Sequence, residues 1–231
     1  MEEISKAQKQ VFERLQEAKV RNKNALFAAE GLKCIQDLLK FGAKAKWLAY
    51  SKPELWRSFE LPESAKETPV FDAQAYPKLS HLATPSGLFG VFYQMPFGAS
   101  HELKHVPTLI LDGIKDPGNL GTMLRTAHWF GLNQVILTKG CVDPYNPKTV
   151  QSTMGSLVAL SLFRLTHEEL VEALLNLSLK PIALSLEGNP LPADASIQSK
   201  ALIVGSESHG VSAELLRVSE AWYLPAANLL N

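Results

Sequence analysis

Several features are missing or scarce in this chain of 231 residues, and each absence narrows what it can be. Net charge is missing, since 23 basic residues balance 23 acidic ones. An extensive nucleic-acid clamp carries a strong basic excess, so neutrality argues against one while leaving room for a local basic patch. Cysteine is scarce. Cys34 and Cys141 form neither a metal-ligand cluster nor a CxxC pair, and they read as two reduced, buried thiols in a cytoplasmic protein. No apolar run approaches the roughly 18 residues of a membrane span, and the charged stretch Met1–Gln10 lacks a signal-peptide core. Internal repeats and low-complexity tracts are not evident. Neither GxGxxG nor GxxxxGK[ST] occurs, which disfavours nicotinamide and ATP sites. What remains is a globular composition, 46% apolar and 20% charged, long enough for one or two domains with a sizeable core.

The stretch Leu109 to Ala127 organises the rest. An apolar run ends at Asp112, turn formers occupy Gly113 to Asn119, and helical periodicity follows. Leu120, Met123, Leu124, Ala127 and Phe130 recur at helical spacing and are expected to form one buried stripe, with Arg125 off it as a cation on the open side. Gly118 and Gly121 permit close backbone approach, and the unpaired N–H groups of a helix start favour an anion. Strand, glycine turn, helix and off-stripe arginine together suit a ligand bearing phosphate.

Before this stretch lies a smaller α/β pattern. Residues 3–20 read as one helix, with Ile4, Val11, Leu15 and Ala18 as a partial apolar stripe. Ala25 to Gly31 reads as a strand, Leu32 to Phe41 as a helix stopped by Gly42, and Trp47 to Tyr50 as a second strand. Residues 51–69 look like loop with one short helix. Val70-Phe71, residues 81–85 and Leu88 to Tyr93 complete the unit. Lys19, Arg21 and Lys23, with Lys44 and Lys46, form a basic cluster that either contacts phosphate or is a solvated face; both readings stay open. Turn formers after Met95 mark a linker. Beyond it, strands near 107–112, 135–137, 159–164, 182–184 and 201–204 alternate with helices near 119–130, 147–157 and 167–177, which implies a parallel sheet flanked by helices. Ligands of such sheets sit at the strand carboxyl ends, so the turns after Asp112, Val204 and Leu224 are expected at one edge. In the second of these, Gly205 to Ser212, Glu207 sits between glycines and is either a ligand-facing acid or a solvated turn residue. His209 reads as a surface turn histidine rather than a general base.

Three segments in this order resemble the SpoU (TrmH) family of S-adenosylmethionine-dependent RNA 2′-O-ribose methyltransferases. They are Asp116-Pro117-Gly118-Asn119-Leu120-Gly121 with Arg125-Thr126-Ala127, then Gly205-Ser206-Glu207-Ser208-His209-Gly210-Val211-Ser212, and finally Leu224-Pro225. Lys148 to Leu157, with Ser152, Met154, Gly155 and Ser156, is similar to the family's intermediate helix segment, although Gln151 stands where an arginine is common. After Leu224-Pro225 the family's Ser-Leu-Asn-Val-Ser stretch and final helix do not follow, so the chain is expected to be truncated there. Phe27 to Gly31 and 84–92 resemble landmarks of the small ribosomal-protein-like RNA-binding domain that precedes the catalytic domain in many members.

The resemblance implies an α/β knot (deep trefoil) domain with a parallel sheet flanked by helices, preceded by a small α/β RNA-binding domain. The boundaries expected are 1–97 for the RNA-binding domain, 98–105 for the linker and 106–231 for the methyltransferase domain. It implies a homodimer with its active site at the subunit interface, S-adenosylmethionine as cofactor and no metal. Arg125, Asn119 and Glu207 are then the catalytic residues. Because a guanidinium is hard to deprotonate, the safer role for Arg125 is to hold a phosphate and stabilise developing alkoxide. Asn119 and Glu207 would fix loop geometry and the ribose. Gly205, Leu184, Ser185, Glu207, Gly210, Leu224 and Pro225 would contact the cofactor, largely through backbone, and Arg21, Lys23, Lys148 and Ser152 the RNA. Ribosomal RNA is favoured over transfer RNA as substrate. The rival readings are a non-catalytic RNA-binding protein on the same fold and an unrelated α/β enzyme for a phosphorylated metabolite.

Overall fold

A computed structural model describes residues 2–75, 79–80, 86–192 and 200–223. Residues 81–85, expected to contribute to the small unit, lie outside this set, as do Leu224, Pro225 and the turn after Leu224. Packing groups the chain into two compact units. The first takes Met1–Met95, Pro117–Thr126 and Asp143–Ala159; the second takes Pro96–Asp116, Ala127–Val142 and Leu160–Asn231.

The first unit opens with a capping box. Ser5 Oγ accepts the Gln8 amide and Gln8 Oε1 accepts the Ser5 amide, which starts α1 (Lys6–Arg14). The single helix expected over residues 3–20 is instead two, because α2 (Ala18–Asn24) begins after a break at residues 15–17. Arg21 explains the break. Its Nη1 donates to the Leu15 and Gln16 carbonyls at 2.9 and 2.8 Å. The same guanidinium reaches Asp143 Oδ2 from Nε at 2.9 Å and Nη2 at 2.5 Å, and the residue is only 1% exposed. Arg21 is therefore not an RNA contact, as its neighbours in sequence suggested. It is a buried tie between the helical hairpin and the segment that starts at Asp143.

Beyond the hairpin, β1 (Leu26–Glu30), α3 (Leu32–Lys40), β2 (Ala45–Tyr50), α4 (Pro53–Arg57), β3 (Val70–Asp72) and β4 (Leu88–Tyr93) form a four-stranded sheet in the order β1-β4-β2-β3. β4 runs antiparallel to both β1 and β2, and β3 lies parallel to β2. Phe12 from α1 packs edge-on against Phe89 of β4 at 5.6 Å between ring centroids, in a core with Leu15, Leu26, Trp47 and Val91. Tyr145 closes the other side. Its ring stands 5.2 Å from that of Phe27 and its hydroxyl donates to the Met95 carbonyl at 2.7 Å.

The second unit holds a six-stranded sheet in the order β10-β8-β9-β5-β6-β7, every neighbouring pair parallel. Its strands are β5 (Thr108–Asp112), β6 (Gln134–Thr138), β7 (Ser161–Leu165), β8 (Lys180–Pro190), β9 (Lys200–Gly205) and β10 (Glu220–Tyr223). Its helices include α7 (His167–Asn176) and α8 (Ala213–Leu216); α5 (Pro117–Trp129) runs from the first unit into the second, and α6 (Pro147–Thr153) belongs to the first. β5 and β6 are buried at every position, as expected of parallel strands covered on both faces. Leu120, Leu124 and Ala127 of α5 are buried as its periodicity predicts, but Phe130 is not. The helix ends at Trp129, and Trp129 and Phe130 are 85% and 73% exposed. Among the described residues no helix is long and apolar enough to cross a membrane.

The Arg21 tie makes a stability prediction. Replacing Arg21 by alanine leaves the Asp143 carboxylate and two carbonyls without their donor, and breaking such a buried pair costs about 3 kcal/mol or more. Denaturant unfolding of Arg21→Ala should show that loss, whereas Lys23→Ala, an exposed neighbour, should stay within about 0.5 kcal/mol of the parent. Equal stabilities for the two variants would refute the assignment.

Candidate functional site

Because β9 pairs with β5 in parallel, Asp112 lies opposite Gly205, and the turns that follow the two strands leave the same edge of the sheet. The turn after β9 is closed on itself. Ser206 and Gly210 exchange both backbone hydrogen bonds, at 3.1 and 2.8 Å, and the Ser206 hydroxyl accepts the His209 amide at 3.3 Å. A Cβ on Gly205 would stand 2.0 Å from the carbonyl carbon of Gly210, so the turn folds back only over glycine. Glu207, Ser208 and His209 form its exposed tip, and His209 Nδ1 meets Ser208 Oγ at 2.7 Å.

On the other flank of β9, β8 leaves its ladder. Ala183 pairs with Ala221, the next pair is Asn189 with Trp222, and residues 184–188 bulge between them. This bulge carries Leu184 and Ser185, both half-buried, and Leu186, which is 94% exposed. The sheet thus brings Leu184 and Ser185, where β8 leaves its pairing with β9, close to the end of β9 and the turn that carries Gly205, Glu207 and Gly210. A cofactor with a flat base and a sulfonium fits this chemistry: an exposed leucine for the base, an acid for the cation, and open space at Gly210, where a Cβ would meet nothing within 4 Å. Among the described residues no three His, Cys, Asp or Glu side chains are placed to hold a metal.

At the base of the turn, Asp112 is 4% exposed and fully engaged. Its Oδ2 accepts the Ser212 amide at 2.8 Å; its Oδ1 accepts the Thr138 hydroxyl at 3.0 Å and lies 2.9 Å from His167 Nε2. Burial pushes the carboxyl up, but the hydrogen bonds from His167, from the Ser212 backbone and hydroxyl and from Thr138 outweigh it and hold Asp112 below the usual carboxylate range. Ser212 Oγ also lies 3.4 Å from His167 Nε2. These three residues are not a hydrolytic triad, because one ring nitrogen faces both acid and hydroxyl, whereas proton relay needs the acid on the opposite nitrogen. Sequence reasoning passed over Thr138 and His167 altogether. The available signals were an acid closing an apolar strand and a histidine directly after the helix-capping Thr166.

The remaining expected residues belong to the first unit. A Cβ on Gly121 would come within 2.5 Å of the Ser152 Cβ and 2.6 Å of the Thr149 carbonyl, so glycine lets α5 lie against α6. Arg125 is one turn further along the same side of α5, exposed and without a hydrogen bond or ion pair to the described residues. Lys148 and Ser152 share a side of α6, where Ser152 Oγ donates to the Lys148 carbonyl at 2.9 Å. Asn119 is exposed in the first turn of α5, and Lys19 and Lys23 are exposed on α2.

Comparison with known proteins agrees with this arrangement. The model of the SpoU rRNA methylase family matches residues 107–228, and that of the MRM3-like substrate binding domain matches residues 9–90. The chain is 31% identical over 224 residues to the 23S rRNA (guanosine(2553)-2′-O)-methyltransferase RlmP of Bacillus subtilis, covering 95% of this chain and 88% of that protein. Human mitochondrial rRNA methyltransferase 3 is 35% identical over 145 residues, 59% of this chain but only 34% of the human protein. Among solved structures, a TrmH-family protein of Porphyromonas gingivalis superposes with a TM-score of 0.84 at 28% identity, covering 98% of this chain and 90% of that one. An AdoMet-bound rRNA methyltransferase of Sinorhizobium meliloti gives 0.81 at 26% identity, covering 100% and 90%. With its signature turns on adjacent parallel strands and a family match over more than half its length, the chain belongs to the SpoU rRNA methylase family.

Proposed function

We propose that this chain transfers a methyl group from S-adenosylmethionine to a ribose 2′-hydroxyl of ribosomal RNA. The observation that carries this reading is the near full-length likeness to the Bacillus subtilis enzyme, whose name states that chemistry on 23S rRNA. The AdoMet-bound Sinorhizobium meliloti relative supports the donor. Residues 1–97 bind the RNA, 98–105 link, and 106–231 form the methyltransferase domain on the knotted path implied by the family resemblance. The protein works as a homodimer in the cytoplasm. Support for the dimer comes from the adjacent, exposed Trp129 and Phe130, since side-by-side aromatics of this size are rarely left in water.

When bound, S-adenosylmethionine supplies an electrophilic methyl group whose transfer neutralises the sulfonium, so the step calls for no metal. Gly205, Glu207 and Gly210 of the turn, Leu184 and Ser185 of the bulge, and Leu224 and Pro225 after β10 hold it. Arg125 does the work on the substrate. Its guanidinium grips a phosphate next to the target ribose, orients the hydroxyl, and stabilises negative charge as the oxygen gives up its proton. A guanidinium keeps its own protons at neutral pH, so Arg125 is an electrostatic anchor and not the base. Asn119, early in α5, and Glu207, in the turn after β9, take the roles the family resemblance implies, fixing loop geometry and the substrate ribose. Lys23 on α2 and Lys148 and Ser152 on α6 contact the RNA backbone.

Three outcomes are expected. Incorporation of labelled methyl into ribosomal RNA should fall at least 100-fold in Arg125→Ala, with the affinity for S-adenosylmethionine kept within about three-fold; normal turnover would remove Arg125 from the mechanism, and a wild type that binds RNA but transfers nothing would favour the non-catalytic reading. Replacing Lys19 and Lys23 together by glutamine should weaken RNA binding and flatten its salt dependence by roughly 0.7 per lost phosphate contact in the logarithmic slope. An unchanged slope would place the RNA elsewhere. Trp129→Glu combined with Phe130→Glu should convert the dimer into monomers in sedimentation analysis, and a parent that sediments as a monomer would refute the dimer outright.

A further inference from the structure

The turn from Gly205 to Ser212 is anchored at both ends by one residue of the neighbouring strand. Asp112 faces Gly205 in the backbone register of β5 and β9, and its Oδ2 accepts the Ser212 amide at 2.8 Å. Six residues arch between these two anchor points, braced by the paired Ser206 and Gly210. The other carboxylate oxygen is held from two further elements. Thr138 at the end of β6 donates to it at 3.0 Å, and His167 in the first turn of α7 lies 2.9 Å away. The Thr138 hydroxyl in turn accepts the Gly113 amide at 3.0 Å, at the start of the segment that runs into α5.

None of this is needed for the sheet. Backbone hydrogen bonds already pair β5 with β6 and β9, and an apolar residue at position 112 would fill a buried strand end without the cost of burying a carboxylate. A carboxylate there makes sense only for what it alone can do, which is to accept several converging donors. Three of those donors come from residues 26, 55 and 100 positions away in the chain, and the most distant is the far end of the turn.

We propose that Asp112 is the positioning residue of the methyl-donor site, its carboxylate set by Thr138 and His167 and fixing the 205–212 turn through the Ser212 amide. The proposal rests on the reading of that turn as part of the donor site. It touches neither donor nor RNA. The turn closes on itself without Asp112, through Ser206 and Gly210, but its base is then free to swing about Gly205. Asp112 therefore acts on donor affinity, and the transfer step at saturating donor is left to Arg125.

Ser212 offers a clean test. Its φ of −60° is one a proline ring can adopt, so Ser212→Pro removes the amide hydrogen that Asp112 accepts and sets a ring carbon against the carboxylate in its place, breaking the tie. Ser212→Ala removes only the hydroxyl and serves as its control. Calorimetric titration with S-adenosylmethionine, steady-state methyl transfer to ribosomal RNA and amide hydrogen exchange would be measured on the full chain for these two variants and for Asp112→Ala and Asp112→Asn. Ser212→Pro and Asp112→Ala should weaken donor binding and raise the donor KM at least ten-fold, with kcat at saturating donor within about three-fold. Exchange at residues 206–211 should quicken while the amides of β5 and β6 keep their protection. Ser212→Ala, which keeps the amide and loses only the hydroxyl beside Asp112, should weaken donor binding much less than Ser212→Pro, and Asp112→Asn, which retains one acceptor, should fall between the parent and Asp112→Ala. Parental donor affinity in Ser212→Pro would overturn the proposal, as would a loss confined to kcat. A parent that fails to bind S-adenosylmethionine would overturn the donor reading itself and this proposal with it, whatever the exchange data report.

Discussion

The pairing of β9 beside β5 is the constraint on which the candidate site depends. These strands are separated in the chain by two strands of the same sheet on one side and one on the other, yet they sit at its centre. With their register set, Asp112 must face Gly205, the two glycine-bearing turns must leave the same edge, and β8 must lie along the other flank of β9. Parallel pairing makes this possible: every strand end at that edge is a carboxyl end, where backbone groups leave the ladder and become available to a ligand. Sheet order, rather than any single side chain, decides which residues meet at the candidate site.

The first unit is governed by a different interaction. Arg21 is a fully buried cation, and a charge in that position is tolerated only with partners. It finds them in Asp143 and in two carbonyls of its own helical hairpin. The residue that shapes the hairpin therefore also ties it to the segment carrying α6, and α6 is where α5 packs through Gly121. Arg125 and Ser152 owe their placement to this chain of contacts, which begins at a residue that resembled a surface cation.

Much of the architecture could be read from periodicity. The apolar runs that became β5, β6 and β9, the helix after Pro117 and the alternation that implies a parallel sheet are local properties of the chain. The motif turns were legible for the same reason, since glycine spacing is local. What escaped was non-local. The helix expected over 3–20 breaks because a side chain four residues beyond the break takes its carbonyls. Phe130 continues an apolar stripe in sequence but falls just past the helix end, where the periodicity no longer points inward. His167 and Thr138 carry no motif, and their relation to Asp112 exists only once three strands and a helix have assembled.

Formal neutrality also misleads about the surface. Among the described residues, Glu30, Asp37 and Asp112 are buried acids, and Arg21 is the one buried base. Asp112 answers to hydrogen bonds from its own fold, and Asp37 is met by Lys33 at 2.7 Å. Among the described residues more acids than bases are therefore held inside the fold, and what an approaching polyanion meets at close range is set by how the exposed side chains are grouped. Exposed cations are moreover grouped, with Lys19 and Lys23 on α2, and Arg125 on α5 and Lys148 on α6 are exposed as well. Phosphate recognition depends on such local spacing within about a Debye length, some 8 Å at physiological salt, and much less on the total charge of the chain. Zero net charge is for this reason compatible with binding a polyanion wherever exposed cations are grouped, as Lys19 and Lys23 are on α2.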